Sequence, residues 1–147
     1  RGDAAVGIDV EAPSAAIDPQ ALAASLHPAE RAELAGLADP EARTAFLRCW
    51  VRKEATLKAL GEGLARPLSS FRVRTDARSR DWLAEAPQVG TASWTTADLR
   101  AADGYQVSVA ATAPGLSVAC RRLEQLRSDI GLDDFFNKTT FPASIPI

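Results

Sequence analysis

The sequence predicts an α+β fold in which a small antiparallel sheet of about three to five strands packs on one long helix. Three observations support this prediction. Residues 4–11 alternate in polarity with a period of two, which is typical of a strand. Residues 39–60 carry a helix start signal, helical apolar spacing and a glycine stop. Residues 71–75 and 105–109 alternate again and predict further strands.

The first strand is predicted to have one apolar and one acidic face. Val6, Ile8 and Val10 form the apolar face, and Gly7, Asp9 and Glu11 form the other. Pro13 ends the strand, and two weak helix signals follow at 19–25 and 28–37, each opening with a proline. His27 is predicted to be a turn residue before the second of these segments.

The long helix has the strongest start signal in the chain. Asp39 is a good N-cap residue, Pro40 suits the first helical position, and the glutamate that follows complements the helix dipole. The helix is expected to run to Leu60, where Gly61 and Gly63 supply a stop.

One face of this helix is predicted to be buried. At about 100° per residue, the apolar stripe runs through Phe46, Trp50, Leu57, Leu60 and Leu64. Arg48 and Arg52 fall on the far side and are expected to be solvated. The predicted core comprises Phe46, Trp50, Leu57, Ile8, Val10, Phe71, Val73, Val107 and Val109.

The later part of the chain is less regular. Residues 92–96 are a further candidate strand, and Asp103-Gly104 is a turn signal. Residues 116–130 are predicted to begin as a strand and continue as a helix. We expect one domain over residues 1–130 and an irregular apolar tail over residues 131–147, which must dock to cover its phenylalanines.

The composition excludes several classes of protein. With 46% apolar and 24% charged residues, the 147-residue chain has an ordinary globular balance. Its 17 basic and 19 acidic residues nearly cancel, so no large positive field attracts nucleic acid or an anionic membrane. No apolar run approaches the ~20 residues of a membrane span, and a cytoplasmic protein is expected. Cys49 and Cys120 lack metal-ligand spacing and are predicted to be buried, reduced thiols.

The acidic face of the first strand is a candidate metal site. Alternate strand residues project to the same side about 7 Å apart, so Asp9 and Glu11 can direct two carboxylates at one hard cation. Gly7 on that face leaves room for a ligand. Oxygen ligands suit Mg²⁺ rather than Zn²⁺. The alternative is a solvated face of an edge strand.

The long helix offers a second cluster. Lys53 falls within the apolar stripe, where its ammonium would lose its water unless an anion met it. The alternative is a lysine that reaches solvent from the edge of the core. Glu54 and Lys58 form either an exposed i,i+4 pair or a metal-ligating carboxylate beside a phosphate-binding cation. If strand and helix are adjacent, three carboxylates and two cations surround one point, which suits a metal-bridged pyrophosphate.

Two segments carry a family resemblance. GIDVE at residues 7–11 and WVRKEATLKALGEGL at residues 50–64 resemble the two signature motifs of the 4′-phosphopantetheinyl transferases. The tryptophan before the Lys-Glu pair and the 45-position gap from Asp9 to Glu54 resemble the surfactin-type branch. Further similar segments lie at residues 26–31, 67–73 and 104–110. The resemblance covers about residues 5–113.

The resemblance implies an activity and a cofactor. The activity is that of a holo-acyl-carrier-protein synthase, which moves the 4′-phosphopantetheine arm of coenzyme A onto a serine of an acyl, peptidyl or aryl carrier protein. The by-product is adenosine 3′,5′-bisphosphate. By this resemblance Asp9, Glu11 and Glu54 hold Mg²⁺, which bridges the pyrophosphate of coenzyme A.

The resemblance also implies the roles of the remaining site residues. Lys58, together with Lys53, would contact phosphate oxygens of coenzyme A, and Glu54 and Lys58 would be catalytic. Either Glu54 or a metal-bound water would accept the serine proton. Gly61 and Gly63 would let the backbone approach the coenzyme, or they form only a helix stop.

The chain departs from the surfactin-type pattern. Those enzymes consist of two similar halves, and the first half, with its basic residues for the adenine and the 3′-phosphate, has no counterpart here. The chain begins at Arg1 and contains no methionine, so we expect a domain cut from a multienzyme. The alternatives are a truncated chain or a homo-oligomer that closes the site between subunits. No nucleic-acid or membrane partner is expected.

Two other functions stay open at the level of sequence. A non-catalytic domain of the same fold would serve as a docking platform for carrier proteins within a multienzyme. An unrelated magnesium-dependent phosphoryl transferase would use the same residue types. The joint presence of Asp9, Glu11, Glu54 and Lys58 argues against a decayed site.

Overall fold

The computed structural model describes residues 4–13, 22–87, 93–100 and 104–119. In chain order the elements are β1 (Val6–Glu11), α1 (Pro28–Ala35), α2 (Glu41–Leu60), β2 (Arg72–Val73), β3 (Leu83–Glu85), β4 (Thr95–Arg100) and β5 (Gln106–Ala111). Two short 3₁₀ turns, Gly63–Ala65 and Leu68–Ser70, join α2 to β2. The predicted α+β class, with small antiparallel sheets and one long helix, is confirmed.

The main sheet has three antiparallel strands in the order β1, β5, β4. Its register places Asp9 opposite Ser108 and Ser108 opposite Asp98. Because directly paired residues point to the same side of a sheet, these three polar side chains form one row on the face toward α2. Strands β2 and β3 form a separate two-stranded sheet, and β3 is an element that the sequence analysis did not predict.

Helix α2 lies at the centre of the core, in contact with β1 and β5 on one side and with α1 and β2 elsewhere. Five of the predicted core residues are confirmed as buried: Phe46, Leu57, Phe71, Val73 and Val109. Trp50 and Val107 are half-buried. The helix ends before Leu64, which lies in the first 3₁₀ turn, so this residue does not extend the helical stripe as predicted.

The orientation of β1 is opposite to the prediction. Val6, Ile8 and Val10 are 59%, 53% and 55% exposed, so the expected core positions of Ile8 and Val10 are wrong. Gly7 and Asp9 face α2 and are buried instead. The physical reason is the close approach of β1 to the helix, which only a residue without a side chain permits at position 7.

The ends of the helices follow the predicted signals in part. Gly61 ends α2 in the left-handed conformation, with φ 69°, as its glycine signal predicts. Asp39 is not the N-cap, because α2 begins one residue later than expected and Pro40, with φ −90° and ψ 2°, occupies the cap position without a side-chain bond. His27 caps α1 through its Nδ1 atom, in agreement with its predicted place in the turn before that helix.

Several predictions concern residues outside the described part of the chain. These are most of the helix at 19–25, the segment 120–130, the tail at 131–147 and Cys120. Residues 116–119 are described and form no strand, and β4 begins at Thr95 rather than at residue 92. Cys49 is a buried free thiol, as predicted. Among the helices that the structure describes, none has the length and apolar character that crossing a bilayer requires.

Candidate functional site

Gly7 allows β1 to lie directly against the backbone of α2. A Cβ atom at this position would stand 2.1 Å from the carbonyl oxygen of Ala55 and 2.3 Å from the amide nitrogen of Ala59. The sequence analysis expected Gly7 to leave room for a ligand, but the space is filled by the helix. This contact brings the acidic side of β1 alongside the second half of α2, which is the adjacency that the predicted site requires.

Asp9 lies at this contact and is paired with Lys58. The ammonium of Lys58 is 2.6 Å from Asp9 Oδ1, and the side chains are 50% and 8% exposed, respectively. The second oxygen, Asp9 Oδ2, is buried without a hydrogen-bond partner in the described part of the chain. A buried carboxylate oxygen without a partner is unfavourable, so Asp9 retains an unused capacity to bind a cation.

Glu54 shares this environment. It is half-buried, and its Oε1 atom has no hydrogen-bond partner among the described residues. Burial raises the pKa of Glu54, and the negative charges of Asp9 and Glu11 raise this pKa further, whereas Lys58 acts in the opposite direction. The structure therefore brings the three predicted carboxylates close enough to influence one another electrostatically.

The donor set suits a hard divalent cation. Two carboxylate oxygens, one from β1 and one from α2, have no hydrogen-bond partner among the residues that the structure describes. Mg²⁺ accepts such ligands and usually keeps several of its waters. Within residues 4–13, 22–87, 93–100 and 104–119, no three acidic, histidine or cysteine side chains already converge as a metal cage. Asp9 and Glu54 thus fit a metal as an open pair, and Glu11 is the adjacent third carboxylate.

Lys53 is placed differently from Lys58. Its side chain is fully buried, and its ammonium lies 2.9 Å from Glu30 Oε1, 2.7 Å from the carbonyl oxygen of Leu68 and 2.8 Å from that of Phe71. Burial lowers the pKa of Lys53, and the charge and hydrogen bond of Glu30 oppose that shift. An ammonium has three N–H donors, and all three have protein acceptors here. The anion that the sequence analysis required for Lys53 is therefore Glu30.

Glu30 is a residue that the sequence analysis missed. Its Oε2 accepts the backbone N–H of His27, and its Oε1 accepts the backbone N–H of Val73 as well as the ammonium of Lys53. The sequence lacks the usual signal for this cap, because a capping box normally begins with serine or threonine, whereas His27 stands three positions before Glu30. The contact with Lys53 depends on tertiary packing.

Arg52 is buried, and its predicted exposure is wrong. Its guanidinium pairs with Asp98 on β4 and donates to the carbonyl oxygen of Asp76 at 2.9 Å. Asp98 also accepts the hydroxyl of Ser108 at 2.7 Å. Arg48 is half-buried and donates to the carbonyl oxygen of Thr75 at 2.8 Å. The segment that follows β2 and the side chain of Asp98 on β4 supply these acceptors, so both arginines bind protein groups.

Gly61 and Gly63 follow the helix turn that carries Lys58. Both have positive φ angles, 69° and 54°, and a Cβ atom at either position would meet nothing within 4 Å. The helix-stop role of Gly61 is visible in its backbone N–H, which donates to the carbonyl oxygen of Lys58 at 3.2 Å. The open surroundings leave the predicted contact with a coenzyme sterically possible.

Comparison with known proteins identifies the class that this fold and site define. The family model of the 4′-phosphopantetheinyl transferase superfamily matches residues 5–110. The match includes β1, α2 and β5 up to its penultimate residue. The chain belongs to the 4′-phosphopantetheinyl transferase superfamily. A search of the curated proteins gives no match.

Membership of this superfamily supplies the general activity. It indicates a transferase of the phosphopantetheinyl kind, with coenzyme A as the general substrate and a carrier protein as the general partner. The matched region contains every residue that the sequence analysis proposed for the site, from Asp9 to Gly63. The match does not distinguish the surfactin-type branch from others, so this finer assignment stays a prediction.

Proposed function

We propose that this chain transfers 4′-phosphopantetheine from coenzyme A to a serine of an acyl or peptidyl carrier protein in a Mg²⁺-dependent reaction. The observation that carries the proposal is a pair of oxygens, Asp9 Oδ2 and Glu54 Oε1, that have no hydrogen-bond partner in the described part of the chain and lie near the ammonium of Lys58. Carboxylates bind a divalent cation and an ammonium binds phosphate, so together they match the charges of a metal-bound pyrophosphate.

The proposed metal ligands are Asp9, Glu11 and Glu54. Glu11 is included because its charge acts on Glu54, although its carboxylate does not complete a cage of three in the described residues. When bound, Mg²⁺ would neutralise charge on the pyrophosphate as the phosphoanhydride breaks.

Lys58 and Glu54 are proposed to act on the reacting groups. Lys58 is half-exposed, so its ammonium can reach phosphate oxygens of the substrate. Glu54, or a water bound to the metal, would accept the serine proton. The serine oxygen forms a bond to the phosphorus that carries the pantetheine arm, and the bond from that phosphorus to the leaving adenosine 3′,5′-bisphosphate breaks.

Lys53 and the two glycines are proposed to support the site in different ways. A phosphate contact by Lys53 would require its ammonium to give up one of three protein acceptors. We therefore assign Lys53 a positioning role, in which its bonds hold the helix turn that carries Glu54. Gly61 and Gly63 keep their proposed role as backbone contacts to the coenzyme, because the space around them is open.

We also propose that a second copy, or a further half of a longer protein, completes the site. The apolar outer face of β1, formed by Val6, Ile8 and Val10, is exposed and is compatible with such an interface. If self-association completes the site, the transfer rate per chain will rise with chain concentration. A rate per chain that is independent of concentration for a proven monomer would contradict this part of the proposal.

The transfer itself is tested by weighing the carrier. The chain is mixed with a serine-bearing apo carrier protein, coenzyme A and Mg²⁺, and the carrier is analysed by mass spectrometry. We expect a mass gain of one phosphopantetheine, which is lost with Glu54→Gln or with a chelator. Glu41→Gln is the matched control, because Glu41 is an exposed glutamate in the first turn of the same helix.

The same experiment separates the alternatives. Carrier binding without any mass gain, at all chain concentrations, would support a docking platform and would contradict the proposed transferase. A mass gain equal to phosphate alone would support an unrelated phosphoryl transferase. A full mass gain that persists in Glu54→Gln would refute the role given to Glu54.

A further inference from the structure

The ion pair between Lys58 and Asp9 occupies the site proposed for a divalent cation. The ammonium of Lys58 lies 2.6 Å from Asp9 Oδ1, and the side chain of Asp9 is almost completely buried. A buried carboxylate is strongly unfavourable without a positive partner. Lys58 therefore supplies, in this structure, the positive charge that a metal ion would supply.

The compensation is incomplete. The ammonium of Lys58 pairs with Asp9 and acts on Glu54 only through its charge. Both carboxylates keep one buried oxygen without a hydrogen-bond partner in the described part of the chain. Glu11 adds a further negative charge that acts on Glu54. A divalent cation would balance this group better than one ammonium does.

We infer that Lys58 is an exchangeable counter-ion of Asp9, which is displaced by the divalent cation and thereby becomes free to bind a phosphate group. This inference rests on the proposed function, because it assumes a metal at Asp9 and Glu54. It goes further in linking the two binding events: the cation and the phosphate group bind with positive coupling, through one side chain.

The side chain of Lys58 is suited to such an exchange. It is half-exposed, so its ammonium regains water when it leaves Asp9, and its four-carbon stem is flexible. Lys53, five residues earlier on the same helix, is fully buried with three protein acceptors and cannot make the same movement without leaving an unpaired buried charge. Asp9 itself is fixed by the contact of β1 with α2.

Amine labelling provides a direct test, because the chain contains only three lysines, at positions 53, 58 and 138. The full chain is treated with an acetylating reagent, with and without saturating Mg²⁺ and in the absence of coenzyme A, and peptides are quantified by mass spectrometry. We expect the acetylation rate of Lys58 to rise about fivefold with Mg²⁺. Lys53 stays unreactive in both conditions. With Asp9→Asn the rate for Lys58 is high and independent of Mg²⁺.

Calorimetric titration with Mg²⁺ alone is the second measurement. Because Lys58 competes with the metal, we expect Lys58→Met to bind Mg²⁺ about fivefold more tightly than the unmodified chain. In Lys58→Met, inorganic pyrophosphate no longer increases Mg²⁺ affinity as much as it does in the unmodified chain. Arg43→Met is the matched control, since it removes one exposed positive charge from the far end of the same helix.

The outcomes distinguish this inference from the proposed function. Unchanged or slower labelling of Lys58 on Mg²⁺ binding, weaker Mg²⁺ binding by Lys58→Met, or no Mg²⁺ binding by either chain would each overturn the exchange. None of these measurements uses the transfer reaction. Release of Lys58 without carrier modification would support the exchange and contradict the proposed function. Carrier modification without release of Lys58 would support the proposed function and contradict the exchange.

Discussion

Replacing Gly7 by alanine should separate β1 from α2. The added Cβ would lie 2.1 Å from the carbonyl oxygen of Ala55, whereas real Cβ contacts are essentially never closer than 3.0 Å. The backbone fixes the position of the Cβ atom, and the carbonyl oxygen is itself a backbone atom. A side-chain rotation therefore cannot relieve the clash, and β1 must move away by about 1 Å. We expect a loss of about 3 kcal/mol in the free energy of unfolding, which corresponds to a fall of roughly 6–12 °C in Tm for a chain of this length.

The same shift should weaken the proposed metal site, because Asp9 moves with β1 and Glu54 stays on α2. A displacement of this size in a ligand typically costs about tenfold or more in affinity. Thermal unfolding and Mg²⁺ titration are the assays. Gly36→Ala is the control, since its Cβ would meet only ordinary contacts at 3.5 Å or more, and it should be neutral or stabilising by up to about 1 kcal/mol. A Gly7→Ala chain with the Tm and Mg²⁺ affinity of the Gly36→Ala control would refute the reasoning.

Three further predictions follow from buried and exposed groups. Lys53→Met or Glu30→Gln alone should lower the free energy of unfolding in urea by about 3–5 kcal/mol, because a single change leaves a buried charge unpaired. The double variant should lose less than either single variant. A loss in the double variant equal to the sum of the two single losses would contradict this. Burial alone would raise the pKa of Glu33, but hydrogen bonds from Thr75 and Arg72 outweigh it and lower this pKa. The stability lost in Glu33→Gln should therefore be largest at neutral pH and vanish as pH falls through that lowered pKa. A stability difference independent of pH would exclude a contribution from the ion pair between Glu33 and Arg72. Ile8→Thr should cost less than about 0.5 kcal/mol, because Ile8 is exposed, whereas a cost above about 1 kcal/mol would place it in the core.

The sequence predicts the existence of β1 and α2 well because both signals are local. A period of two over residues 6–11 and a glycine stop at Gly61 depend only on neighbouring residues. The prediction of which face of β1 points inward is wrong, because the hydrophobic pattern assigns the apolar side of a strand to the core. Here Gly7 determines the orientation of β1 instead, since the close contact with the backbone of α2 requires a residue without a side chain.

The surroundings of α2 also depend on contacts that its own sequence pattern does not encode. A helical stripe predicts one buried face, and this rule correctly finds Phe46 and Leu57. It misplaces Arg52, because the guanidinium has buried partners from two other parts of the chain. The segment after β2 supplies the carbonyl oxygen of Asp76, and β4 of the main sheet supplies the carboxylate of Asp98. No spacing within α2 encodes a partner that lies 46 positions away in Asp98.

Three of the five basic residues of α2 show why the candidate site could be predicted only in part. Arg52, Lys53 and Lys58 each pair with a carboxylate from a different segment of the chain. The sequence shows three basic residues of similar character, but their exposures are 0%, 0% and 50%. A fully buried pair is costly to open, so Arg52 and Lys53 are suited to hold the helix in place. Of these three, only Lys58 is exposed enough to exchange its partner for a ligand at low cost. Burial therefore separates the cation proposed to bind phosphate from the two that are paired inside the protein.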